Sequence, residues 1–170
     1  KKTINYENAW LKIYGKPVLY FPKFFHPDPT VKRQSGFLMP SFTSSNSTGA
    51  AFKFPYFHVI SGNKDLTFTP RLYSTKKILA QSEYRTVNSK SKHTIDFSML
   101  SEKNRSSETH FFSRSQKDLD LDYFDNADLT FEMQHTSNDT YLKKYKLESP
   151  LINSETGTLT STLGFSASNE

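Results

Sequence analysis

The 170-residue sequence has no cysteine, six glycines, one tryptophan and no apolar run near the ~20 residues that a membrane-spanning helix needs. The missing thiols exclude a disulfide framework, Cys-ligated zinc and thiol catalysis. They leave the compartment open, because oxidising compartments also hold cysteine-free proteins. Hydrophobic residues make up 35% of the chain and the mean hydropathy is −0.65, so the chain is too polar for a spanning helix. What is abundant is aromatic: 15 Phe and 9 Tyr dominate the apolar fraction amid much Ser and Thr, a composition that favours strands over helices. The formal charge of +5 permits an anionic partner such as nucleic acid, phosphorylated lipid or a membrane surface, without choosing among them. The length suits one domain. Lys1 is no initiator, no signal segment follows it, and the chain stops just after a strand-like stretch, so we expect a piece of something longer.

Residues 1–30 read differently from the rest. Short apolar runs at 8–14 and 18–21 flank the turn signal Gly15-Lys16-Pro17, and Pro22, Pro27 and Pro29 follow, which predicts two strands and a linker. From Gly36 onward the period is two. Leu66, Phe68 and Leu72 alternate with Asp65, Thr67, Thr69 and Arg71. Ile95, Phe97 and Met99 do the same against Thr94, Asp96 and Ser98, as do Leu129, Phe131 and Met133 against polar neighbours. With 36–43, 50–58, 78–87, 109–116 and 158–165 this predicts eight antiparallel strands in an up-and-down meander, the longest connection being 137–156. Such alternation fits a transmembrane β-barrel and a soluble β-sandwich alike, and periodicity alone leans to the soluble form.

Two predicted neighbouring strands carry internal prolines, Pro40 and Pro55. Proline has no N–H for a ladder, so it is confined to edges, strand starts and bulges. A hairpin with a proline in each arm is either a weakened seam or an irregular loop region.

The run from Lys32 to Pro40, then Pro55-Tyr56-Phe57, Asp65-Leu66-Thr67-Phe68-Thr69-Pro70 and Glu83-Tyr84-Arg85, resembles in order and spacing the LptD (OstA) lipopolysaccharide-assembly family. The stretch from Gly15 to Pro22 is similar to the end of that family's periplasmic domain, and the run from Ser137 to Tyr145 is similar to a loop motif of its alphaproteobacterial members. The resemblance implies an all-β chain in the outer membrane of a Gram-negative bacterium. Residues 1–30 would be the C-terminal end of a periplasmic β-jellyroll with its linker, and 31–170 the first eight strands of a large, here incomplete, outer-membrane barrel. It implies lipopolysaccharide transport and insertion into the outer leaflet, with Pro40 and Pro55 weakening a lateral gate. Trp10, Ile13, Val18, Tyr20 and Phe21 would be candidates for the path of the acyl chains. Implied partners are lipopolysaccharide, the outer membrane, a lipoprotein plug (LptE-like) and a periplasmic bridge protein (LptA-like), with no nucleic acid. The family's interdomain cysteines are absent from this chain.

No cofactor, metal site or catalytic residue is expected. The run Asp118-Leu119-Asp120-Leu121-Asp122 fails the EF-hand pattern, with Tyr123 where Gly is required and Leu129 where Glu is required, and reads as the two faces of a strand end. The five histidines have no ligand spacing, and there is no G-x-S-x-G elbow. Two other readings stay open: a soluble basic β-module binding nucleic acid or glycan on an aromatic face, and an ordinary porin-type barrel.

Overall fold

The computed structural model describes residues 3–13, 15–27, 33–152 and 158–169. Strands β1 (Thr3–Ile13) and β2 (Lys16–Pro27) form a separate antiparallel hairpin, turning at Gly15, whose φ of +77° suits glycine. Both strands outrun the apolar runs that predict them, pairing through Glu7 with Lys23 and Tyr6 with Phe24. Backbone pairing does not need apolar side chains, and Pro27 stands at the end of β2, where a missing donor costs the ladder little.

The larger sheet contains β3 (Gly36–Phe37), β4 (Ser41–Ser45), β5 (Gly49–Lys53), β6 (Tyr56–Ser61), β7 (Lys64–Tyr73), β8 (Ile78–Asn88), β9 (Ser91–Ser101), β10 (Glu108–Asp118), β11 (Asn126–Thr136) and β12 (Thr162–Ser168). All pairings are antiparallel, and from β7 to β12 they follow chain order, as the meander predicts. β3 with β4, and β5 with β6, are two strands each interrupted in the middle, so the wall has eight staves. Four of them, β8 to β11, have 11 residues. At about 3.3 Å per residue and a tilt near 45°, such a strand rises ~25 Å, the height of an apolar membrane band. Besides small shifts at several strand ends, three features differ from the predicted ones. The last strand begins at Thr162 and not at 158, the stretch 119–125 is a turn and not a strand end, and the connection after β11 contains a helix, α1 (Tyr141–Tyr145).

The sidedness of the sheet decides between the two predicted architectures. Phe68, Leu72, Ile78, Phe97, Met99, Phe131, Met133, Leu163 and Phe165 lie exposed on one face. On the other, Asp65, Thr69, Arg71, Gln81, Thr94, Asp96, Ser98 and His110 are buried. A soluble sandwich covers its apolar face; here the polar face is covered and the apolar one is bare, which is the polarity of a barrel wall. Arg71, Arg85, Lys92 and Arg114 are on the face away from the exposed aromatics, so these cations and the aromatics do not form the stacking platform of a nucleic-acid module.

What covers the polar face is the segment 137–151. Asn138 Oδ1 accepts from the Thr140 N–H and hydroxyl, both at 2.9 Å, and α1 follows for one turn before Lys146 ends it in the left-handed region at φ 48°. A helix this short does not persist without packing. Tyr141 and Tyr145, one turn apart, press onto Leu79, Leu100 and Tyr73 as a small apolar core on an otherwise polar face. Arg71 Nη1 donates to the Tyr145 and Lys146 carbonyls, each at 3.2 Å, Gln81 Nε2 donates to Glu148 O at 2.9 Å, and the Tyr141 hydroxyl lies 2.9 Å from Ser98 Oγ. The Arg71 bonds take up carbonyls that the helix end leaves unpaired.

Burial pushes the Tyr141 phenol up to about 12, against a smaller opposing effect of its bond to Ser98. The folded state then holds its proton more tightly than the unfolded chain, so stability is complete below pH 10 and falls as pH rises from 10 through 12. Replacing Tyr141 with Phe in the full-length protein should cost about 1 kcal/mol at neutral pH, through the Ser98 bond, and should diminish the alkaline loss; urea unfolding of the barrel at pH 8 and pH 11 checks both. Gly49, at φ +81°, turns the chain from β4 into β5, and an added Cβ would meet Ser74 Oγ at 2.6 Å. Gly49→Ala should destabilise the hairpin by about 1–2 kcal/mol, read as a lower midpoint of the heat-induced band shift.

Candidate functional site

The first hairpin of the wall is interrupted where the prolines stand. Gly36 and Phe37 pair with Phe57 and Tyr56, the ladder stops, and it resumes at Ser41 opposite Lys53. Between those pairs the first stave has three residues, 38–40, against two, 54–55, in the second. This is a β-bulge with Met39 84% exposed at its crest. A single bond spans the gap, Leu38 N–H to Pro55 O at 2.8 Å. In an antiparallel ladder the N–H and C=O of one residue face the same neighbour. The donor that Pro55 lacks is therefore missing from the side facing the first stave.

The next stave repeats the defect. Phe54 N–H donates to Pro70 O at 3.3 Å, so the donor missing at Pro70 faces the second stave. Pro40, Pro55 and Pro70 thus stand in three successive staves, spaced 15 residues apart. Sequence reasoning identified Pro40 and Pro55 as a pair and did not include Pro70 with them; the equal spacing was the available signal.

On the polar face, residues in register form rows across the sheet. One row runs Thr67, Glu83, Asp96, Phe112 and Gln134, and the next runs Asp65, Arg85, Thr94, Arg114 and Glu132. Asp65 is held by Arg33, which reaches in from the chain ahead of β3, and by Arg85 Nε at 2.8 Å. Arg33 also donates to Gly62 O at 2.7 Å, which ties the entry of the wall to the β6–β7 turn. Arg114 Nε donates to Glu132 at 2.6 Å. Asp96, fully buried, accepts from Gln81 Nε2 at 3.0 and 3.1 Å and lies 3.3 Å from His110 Nε2, while His110 Nδ1 is 2.6 Å from Ser98 Oγ. The loop cations Lys77 and Arg105 both meet Glu102, at 3.4 and 3.6 Å.

The N-terminal hairpin separates the residues predicted for a lipid path. Trp10 and Tyr20 are paired in register, with ring centroids 4.8 Å apart, and both are exposed. Val18 is exposed beside them, at the register shift. Phe21 pairs with Ala9, one residue on, and so occupies the opposite face. Ile13 lies in β1, but its side chain is outside the described residues.

The family model described as LptD protein matches residues 4–160. An LPS-assembly protein LptD of Pseudoalteromonas translucida strain TAC 125 is 34% identical over 139 residues, 79% of this chain and 18% of that protein. The protein of the same description from Legionella pneumophila strain Paris is 38% identical over 93 residues, 55% of this chain and 11% of the relative. That from Shewanella frigidimarina is 41% identical over 78 residues, 46% and 10% respectively. This chain therefore spans under a fifth of the length of each of these relatives. With a family model matched along nearly all of an inside-out, proline-interrupted β-meander, the chain belongs to the LptD protein family.

Proposed function

We propose that this chain is the gate-bearing start of a lipopolysaccharide transporter of the Gram-negative outer membrane. Residues 1–30 are the end of its periplasmic domain and 31–170 its first barrel staves. The relatives are described as LPS-assembly proteins, and the observation that carries the reading is a proline in each of three adjacent staves, Pro40, Pro55 and Pro70. A barrel wall in hydrocarbon has to satisfy its backbone internally, at a cost of several kcal/mol for each unpaired group. A seam that opens for a passing lipid has to be cheaper to break than the rest of the wall. Two missing donors and a bulge in the first three staves supply that difference, and they let the first hairpin bend away from β7. The acyl chains then leave sideways at the first stave while the sugars pass along the polar face. A lipoprotein plug fills the completed barrel and a periplasmic bridge protein delivers the lipid.

The upstream hairpin fits the delivery. Trp10, Val18 and Tyr20 present apolar surface to acyl chains, with Phe21 on the far face. A photo-crosslinking residue placed at Trp10 or Tyr20 of the full-length protein in living cells should give lipopolysaccharide adducts, and one at Phe21 should give far fewer. Equal labelling at all three positions would remove the trough from the proposal.

Restoring the donors tests the gate. Each recovered ladder bond is worth about 1 kcal/mol, so Pro55→Ala with Pro70→Ala makes opening ~2 kcal/mol dearer and reduces the open population about thirtyfold. Adding Pro40→Ala removes the φ restraint at the bulge. The triple variant should reach the outer membrane at normal level and heat-modifiability, yet show less surface lipopolysaccharide and greater detergent sensitivity. Normal surface lipopolysaccharide and resistance in that variant would sink the gate.

A further inference from the structure

At the end of the sheet where the β6–β7 and β8–β9 turns lie, Arg33, Arg85, Lys92 and Arg114 line one cavity of about 450 Å³ together with a single carboxylate, Asp65. Asp65 is already bonded to Arg33 and Arg85, and the neighbouring carboxylates Glu83 and Glu132 meet the Nε atoms of Arg85 and Arg114, at 3.4 and 2.6 Å. Donors are left over. Both terminal nitrogens of Arg85, Nη1 of Arg114 and the Lys92 ammonium have no acceptor among the described residues, and Arg114 Nη2 has only the Leu151 carbonyl at 3.4 Å. Register fixes how these donors are arranged. Thr94 sits directly between Arg85 and Arg114, whose strands are ~10 Å apart across the sheet, and Lys92 is two residues along β9 on the same face.

We propose that this cavity is a binding site for a phosphate monoester, held over Thr94 by Arg85 and Arg114 from either side and by Lys92 from the turn end. A planar carboxylate is satisfied by one guanidinium fork, whereas three cationic groups set around an open volume match a dianion with several terminal oxygens. The salt bridges to Asp65 and Glu132 hold the two guanidiniums by Nε and leave terminal nitrogens of both for a ligand. The phosphate can be free or attached to a lipid-linked sugar; the second source rests on the transport reading above, and the first does not.

The test uses the full-length protein purified from outer membranes in detergent, with titration calorimetry of glucosamine 1-phosphate, glucosamine and inorganic phosphate. Glucosamine 1-phosphate should bind and glucosamine should not. Lys92 has no ion pair among the described residues, so Lys92→Gln should leave folding intact, checked by heat-modifiability, and weaken binding about fivefold. Arg114→Lys keeps the charge and loses the fork, and should weaken it as well. Inorganic phosphate binding as tightly as the sugar phosphate would support the site with free phosphate as its source; weaker binding would support the sugar-linked source. Absence of phosphate-dependent binding, or unchanged affinity in folded Lys92→Gln and Arg114→Lys proteins, overturns it. Because binding is measured without export, failure of the gate variants would leave this result standing, and the reverse also holds.

Discussion

The carboxylate of Asp96 is completely buried in the middle of the sheet, and much of the polar face is organised around keeping it there. A charge taken out of water costs several kcal/mol unless it is compensated. Gln81 gives its amide to both oxygens, His110 stands 3.3 Å away, and Gln81 in turn bonds Arg71 and the Glu148 carbonyl. Through Arg71 the network reaches the end of α1, and through Ser98 it reaches Tyr141. The segment 137–151 is thus fastened to the wall by polar bonds at several points and by a small apolar core in between.

That attachment accounts for the uneven strength of the sheet. From β7 to β11 the ladders are long and continuous, and their polar faces are cross-linked by side chains and by the segment laid over them. Before β7 the ladders are short, broken at prolines and joined across the break by one bond. Arg33 counters this at one end by tying the entering chain to Asp65 and Gly62. The first hairpin is therefore tied at the Arg33 end and broken in its middle.

The same pairing of charge explains why the basic residues do not mark a surface for polyanions. The arginines of the polar face are spent on buried carboxylates and on carbonyls of the covering segment, leaving unused donors at the turn end, where the β8–β9 turn brings Lys92 beside Arg85 and Arg114. Net charge read along the chain counts these residues as free; folding shows which are occupied.

Strand number, order and alternation were legible in the sequence because the side-chain period of a strand is local: Leu66, Phe68 and Leu72 declare one face without reference to any other segment. The interruption of the ladder near Pro40 and Pro55 was legible for the same reason, since a missing N–H is a property of the residue. Which face is covered was not legible, because Asp96 and Phe97 exchange roles according to whether the surroundings are water, lipid or the rest of the chain. Nor was the placement of 137–151, whose carbonyls meet Arg71 and Gln81 about 70 residues away in sequence, at contacts that only the assembled sheet brings together. The placing of Pro70 opposite Phe54, one residue from Pro55, and the meeting of Arg85, Lys92 and Arg114, likewise depend on register, which is set by the pairing of whole strands and not by any one of them.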